Sequence, residues 1–343
     1  MKEKAFKSGT YSNIISERRD GPRRIVRKET SESTEELRKE IEYLLGLPPH
    51  LEEYFPEVIR CSMVGLPVFY EMPLYNYSTL RSLILKGAIG VETALALLER
   101  IVAFTFRLLY KVNQMPAGTG WLHSLHIKRI ENRLREVSRI SDIFRPFIEA
   151  DRVRINGNLL PNILPILDKI AEDGDFINSI QPRYTSMVHG DFHFDNFLVD
   201  PDTLKFILLD PRGESRGYDW TYDYGKLWTS FDGKYDFMHE GLFELESDDR
   251  GRYPEIRFEY DPHRAAESYN EISKRIIPLV GHYVKEYGDH RLWLLRVKAV
   301  EALHFCAVAP FHLEGDGWEK RALCRYATGV FLLNEVCTSF RDG

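Results

Sequence analysis

Cysteine is scarce. The four residues Cys61, Cys306, Cys324 and Cys337 are far apart, with no C-x-x-C pair and no metal-ligand spacing. That excludes a disulfide framework or a zinc ribbon and reads as buried thiols in a reducing compartment. An excess of positive charge is missing too: 52 acidic side chains against 46 Lys and Arg give a net charge of -6. No global field draws the chain onto nucleic acid or anionic lipid, so any bound anion must be met by a local site. The basic run Arg18-Arg19-Asp20-Gly21-Pro22-Arg23-Arg24 lacks interleaved aromatics, and it reads as a solvated turn rather than a nucleic-acid surface. No eighteen-residue uncharged apolar run occurs, because even Ala94 to Tyr110 contains Glu99, Arg100 and Arg107. Neither a membrane span nor an N-terminal signal segment is expected. The expectation is a folded cytoplasmic protein without nucleic-acid or membrane partners.

What is present suits a large globular chain. With 343 residues, 43% of them hydrophobic and 29% charged, it has material for two or three domains or one bilobal unit. Up to about residue 75 the pattern is short strands around one helix. Turns at Ser8 to Asn13 and Asp20-Gly21-Pro22 precede Ile14-Ile15 and Ile25-Val26, as tight loops between antiparallel strands do. Ser33-Thr34-Glu35-Glu36 opens a helix carrying Leu37, Ile41, Leu44 and Leu45, stopped by Gly46 and Pro48-Pro49. Val58 to Met63 and Pro67 to Met72 form a hairpin across Gly65. From Ser78 onward helical periodicity dominates, with candidates at 91–114, 121–140, 162–170, 262–287 and 290–307. The fold class is α+β: a β-rich N-terminal lobe over 1–72, a hinge at 73–78 and a mainly helical lobe over 79–343.

The chemistry concentrates in one hairpin, His189-Gly190-Asp191-Phe192-His193-Phe194-Asp195-Asn196 followed by a strand ending at Asp210-Pro211-Arg212-Gly213. Asp191 and Asn196 have the spacing of a phosphoryl-transfer catalytic loop, in which a carboxylate orients the attacking hydroxyl and an amide oxygen helps hold a metal. A carboxylate at the end of an apolar strand, Asp210, is suited to hold Mg²⁺ against nucleotide phosphates. Upstream, Ile25-Val26-Arg27-Lys28 puts Val26 and Lys28 on one strand face, an apolar wall beside an ammonium. Glu40 is the leading partner for Lys28, with Glu36 open as the other choice. The loop Ser8, Gly9, Thr10, Ser12 would cover the phosphates through amides and hydroxyls. His189 and His193 stand four residues apart, but Gly190 occupies the place a zinc-site glutamate would take. His189 is expected to hold the loop in shape and His193 to reach the metal or phosphate region. The aromatic stretch from Tyr218 to Trp228 contains Asp219 and Asp223, candidates for either a substrate pocket or anchoring of the fold.

His189-Gly190-Asp191-x-His193-x-x-Asn196 with Asp210 downstream resembles the aminoglycoside phosphotransferase and choline kinase family, the small-molecule branch of the protein-kinase-like fold. The resemblance implies ATP or GTP with Mg²⁺ and transfer to a small hydroxylated substrate such as a sugar, an aminocyclitol or an amino alcohol. It makes Asp191 the catalytic base, Asn196 and Asp210 the metal ligands, Lys28 the phosphate anchor, and the segment at Glu71 and Met72 the adenine contact. Asp219, Asp223, Arg212 and His193 are its substrate-side candidates. Asp210-Pro211-Arg212-Gly213 departs from D-F-G, so a protein-kinase-like inactivation flip is not expected, and Gly190 in place of the arginine of H-R-D, with no A-P-E following, argues against a protein substrate. A catalytically silent nucleotide-binding regulator of the same fold is the alternative.

Overall fold

Alternation builds the first sheet. In the computed structural model, which describes all residues except 1–3, 9–12, 21–22, 214–216, 263–264, 309–317 and 343, strands β1 (Lys4–Ser8), β2 (Asn13–Asp20) and β3 (Arg23–Thr30) run antiparallel. After helix α1 (Thr34–Leu45), β4 (Arg60–Ser62) and β5 (Val68–Pro73) complete a five-stranded sheet in the order β1-β2-β3-β5-β4. Lys28 therefore sits on a central strand, between Ile15 and Tyr70. Val26, Lys28 and Thr30 are all buried, while Arg27 and Glu29 on the opposite face are half-buried, as a period of two demands.

Helix α1 buries Leu37, Glu40, Ile41 and Leu44, one face of a 3.6-residue repeat. Glu36 falls on the exposed side. The periodicity thus separates the two candidate partners of Lys28.

Two compact units result: residues 1–114 with 186–218, and residues 115–185 with 219–343. The segment expected as a hinge, 73–78, lies inside the first unit. That unit also holds helix α2 (Leu80–Leu85), helix α3 (Val91–Arg107), and the hairpin of strands Phe197–Asp200 and Lys205–Leu208, which pairs with the short strand Ser78–Thr79. Tyr54, Phe104 and Phe206 cluster with ring centroids 4.2–5.7 Å apart, tying α3 to the hairpin.

The second unit is helical around the segment Trp220–Phe231, every residue of which is buried. Trp293–Val308 and Trp318–Asp342 pack beside one another. A four-stranded sheet also occurs here, in the order 243–248, 255–260, 152–155, 158–161. The helical periodicity did not announce it. Among the described residues no helix is long and apolar enough to cross a membrane.

Candidate active site

Phe192, Phe194 and Phe197 are fully buried, so alternate residues of the His189 to Phe197 segment are anchored in the core while Asp191, His193 and Asp195 face outward to partial exposure. Gly190 adopts a φ of +84°, and a Cβ there would meet Arg212 Cβ at 2.9 Å. The His189 carbonyl accepts a hydrogen bond from the Arg212 amide at 2.9 Å. The catalytic loop and the Asp210 segment are thus laid side by side, with a left-handed turn only glycine takes readily.

Four groups expected from the sequence meet through a short chain of contacts. Lys28 Nζ donates to Glu40 Oε2 at 2.7 Å and Oε1 at 3.0 Å, and lies 3.1 Å from Asp210 Oδ1. The Leu209 amide, next to Asp210, donates to the Asn196 carbonyl at 2.8 Å. Asn196 Nδ2 donates to the Asp191 carbonyl at 2.8 Å. Arg212 Nη2 and His193 Nε2 stand 3.6 Å and 3.7 Å from the two Asp191 carboxylate oxygens. Asp210 itself has a φ of +56°, a conformation Asp tolerates better than most residues, and its carboxylate remains 40% exposed. Of the two carboxylates that Lys28 touches, a ligand can therefore reach Asp210.

Burial disfavours the charge on Lys28, but the paired carboxylates of Asp210 and Glu40 outweigh it and hold the ammonium well above its usual range. Burial pushes Glu40 up to about 7, against the pull of Lys28 and of Tyr70, whose hydroxyl donates to Glu40 Oε1 at 2.8 Å. Tyr70 is a member of this centre that sequence reasoning missed. It faces Lys28 across the β3-β5 ladder, and only the register reveals it.

Gly213 closes the arrangement. It has a φ of +70°, and a Cβ would come within 2.2 Å of the Lys39 carbonyl oxygen, so the backbone of α1 rests directly on this glycine, one residue from Glu40. Gly213→Ala is expected to lower stability by about 3 kcal/mol, from a strained left-handed residue plus displaced helix backbone. Urea denaturation measures it, and a variant as stable as wild type would remove Gly213 from this role.

His189 is fully buried, and its Nδ1 accepts the Asp191 amide at 3.2 Å. Burial depresses its imidazole to about 4 despite the nearby Asp191 carboxylate. A neutral folded-state histidine contributes stability above the unfolded value near 6.5 and loses it as pH falls toward 4, up to about 3 kcal/mol. A His189→Asn variant, which keeps an acceptor for Asp191, should lose less stability than wild type between pH 7 and pH 5. Equal losses in paired denaturation curves would refute this source of acid sensitivity.

The remaining candidates are distributed differently. Glu71 is buried, with its carboxylate 2.9 Å from Arg60 and 3.4 Å from Arg27, and its carbonyl accepts the Ile59 amide. Met72, opposite Val26 in register, is also buried. Ser8 ends β1 opposite Asn13, and Gly9, Thr10 and Ser12 lie outside the described residues. In the second unit, Asp219 caps the helix Trp220–Phe231 by accepting the Thr221 amide and hydroxyl. Arg296 binds it at 2.9 Å and also reaches Asp289 at 2.8 Å. Burial raises the Asp219 carboxyl in spite of Arg296. With no exposed surface, Asp219 has the surroundings of a fold anchor, the second of its two expected roles. Asp223, one turn further, is equally buried.

No protein-family model matches the sequence, and no curated protein does. Solved structures do match. A thermostable mutant of aminoglycoside phosphotransferase APH(4)-Ia in ternary complex with ADP and hygromycin B superposes with a TM-score of 0.53 at 13% identity, covering 97% of this chain and 93% of that one. An apo structure of a thermostable mutant of the same enzyme gives 0.50 at 13% identity, with 98% and 94% covered. Plasmodium vivax ethanolamine kinase gives 0.44 at 11% identity, with 95% and 82% covered. The chain thus has the protein-kinase-like fold of the aminoglycoside phosphotransferases.

Proposed function

We propose that this chain is a magnesium-dependent phosphotransferase that moves the γ-phosphoryl group of ATP or GTP to a hydroxyl of a small molecule. The observation that carries the reading is the position of Lys28, held at once by Glu40 on α1 and by Asp210 after the apolar strand. A buried ammonium fixed between a helix and a half-exposed carboxylate suits a phosphate anchor next to a metal ligand. ADP and hygromycin B in the structural neighbour add support for a nucleotide and a small hydroxylated acceptor.

Asp210 and Asn196 would hold the Mg²⁺. Both offer hard oxygen donors of the kind that ion takes, and Asn196 already has its amide nitrogen turned to the Asp191 carbonyl, which leaves Oδ1 at the other end of the amide. Such an ion, when bound, neutralises charge on the phosphates. Lys28 steadies the inner phosphates, while Val26 and Met72 offer apolar surface to the base. Asp191 orients the acceptor hydroxyl and takes its proton as the new O–P bond forms and the bond to the departing diphosphate breaks. Arg212 and His193 flank Asp191 and limit where the acceptor oxygen can stand. Positioning and charge neutralisation supply most of the acceleration in such a reaction.

The test is transfer of label from γ-labelled ATP or GTP with Mg²⁺ to a panel of sugars, aminocyclitols and amino alcohols. A labelled, acceptor-dependent product supports the reading. Tight nucleotide binding with no transfer to any acceptor would overturn it in favour of the silent regulator.

A further inference from the structure

The second unit contains a group of nitrogen donors that the phosphotransfer reading does not use. His126 lies in a π-helical turn, His123–Ile127, a form of backbone that recurs at functional positions. It is fully buried, and among the described residues neither ring nitrogen has a hydrogen-bond partner. The Trp121 ring lies 4.9 Å away, and its buried Nε1–H has no acceptor either. Arg129, one turn further and half-buried, donates Nη1 to the Tyr222 hydroxyl at 3.0 Å, whereas its Nε and Nη2 are buried without partners among the described residues. His304 stands 6.2 Å from His126 and 4.7 Å from the Tyr222 ring, with Nε2 3.1 Å from the Tyr222 carbonyl.

Charge is as one-sided as hydrogen bonding. Among the described residues, the groups acting electrostatically on His126 reduce to Arg129, and those on His304 are Lys226, Arg129 and His126. No carboxylate is among them. Glu301, one turn before His304, interacts instead with Asp232 and Lys298. Buried donors without acceptors, and an Arg129 guanidinium with no carboxylate against it among the described residues, each cost free energy unless a ligand supplies what is missing. An oxyanion supplies both.

We infer that the second unit binds the phosphate or carboxylate group of a small ligand among Trp121, His126, Arg129 and His304. Arg129 offers two parallel N–H groups for a charge-assisted fork, Trp121 a third donor and His126 a fourth. A polycationic ligand would be repelled from the same place. This inference is independent of the phosphotransfer reading, since none of these residues belongs to the Lys28–Asp210 centre.

The experiment follows the imidazole resonances of His126 and His304 by NMR in histidine-labelled full-length protein, titrated with inorganic phosphate, with acetate, and with chloride at matched ionic strength. Saturable shifts of both histidines are expected with phosphate or acetate and not with chloride. A response to phosphate alone assigns a phosphate group, and a response to acetate assigns a carboxylate. Arg129→Gln should weaken the response at least about tenfold, with Arg129→Lys intermediate, while Lys28→Met should leave it unchanged. Absence of a saturable shift with either anion, or an undiminished one in Arg129→Gln, would overturn the inference.

Discussion

Asp191→Ala is expected to lower phosphoryl transfer by about 10³-fold, the range for loss of a positioned general base, while nucleotide affinity changes by no more than about twofold. The separation follows from the contacts. Asp191 holds the neighbouring Asn196 through its backbone carbonyl, not its side chain, so truncation leaves the loop and the Asn196 amide in place. What disappears is the carboxylate between Arg212 and His193. Single-turnover transfer and equilibrium nucleotide binding, measured on the same preparation, give both numbers. Near-normal transfer would remove Asp191 from the role of base.

Asp210→Ala should act on the other term. Its carboxylate is the half-exposed one, touching Lys28 at 3.1 Å. Loss of a metal-ligating carboxylate and of a charge beside the phosphate anchor is expected to weaken Mg²⁺-dependent nucleotide binding by about 100-fold, or about 2.7 kcal/mol. Binding measured without Mg²⁺ should change much less. Calorimetric titration with and without the ion separates the two, and an equal loss in both would mean that Asp210 acts on the nucleotide other than through the metal. Lys28 should stay in position in this variant, because Glu40 on α1 still engages it and is itself held by the Tyr70 hydroxyl from β5.

The centre was legible in the sequence where it rests on local spacing. Strand alternation selects Lys28 over Arg27, and the loop spacing marks Asp191 and Asn196. The repeat of Leu37, Ile41 and Leu44 could also have decided between Glu40 and Glu36, since only Glu40 shares their face. Tyr70 was not legible, because a tyrosine in an apolar strand reads as core until the β3-β5 register is known. Asp219 shows the same limit from the other side. Its partner Arg296 is 77 residues away, and an acid among aromatic residues resembles a pocket wall until that arginine is seen. The sheet of the second unit had one local signal, Asn156-Gly157, whose φ values of 47° and 84° are those a two-residue hairpin turn requires. Its other strands, Phe243–Asp248 and Glu255–Tyr260, carry so many charges that their alternation stands out less than the helical repeats around them. The parallel pairing of 255–260 with 152–155 joins segments about a hundred residues apart, a non-local contact that no spacing encodes.

The central claim is that Lys28, Asp191, Asn196 and Asp210 form one nucleotide–metal centre. It is tested most directly by crystals grown with a non-hydrolysable ATP analogue and Mn²⁺, in which anomalous scattering locates the ion. The account predicts Mn²⁺ at about 2.1 Å from oxygens of Asp210 and Asn196, with Lys28 on the phosphates and the Asp191 carboxylate facing the terminal one. An ion bound elsewhere, or a nucleotide that leaves Lys28 and Asp210 untouched, would contradict it.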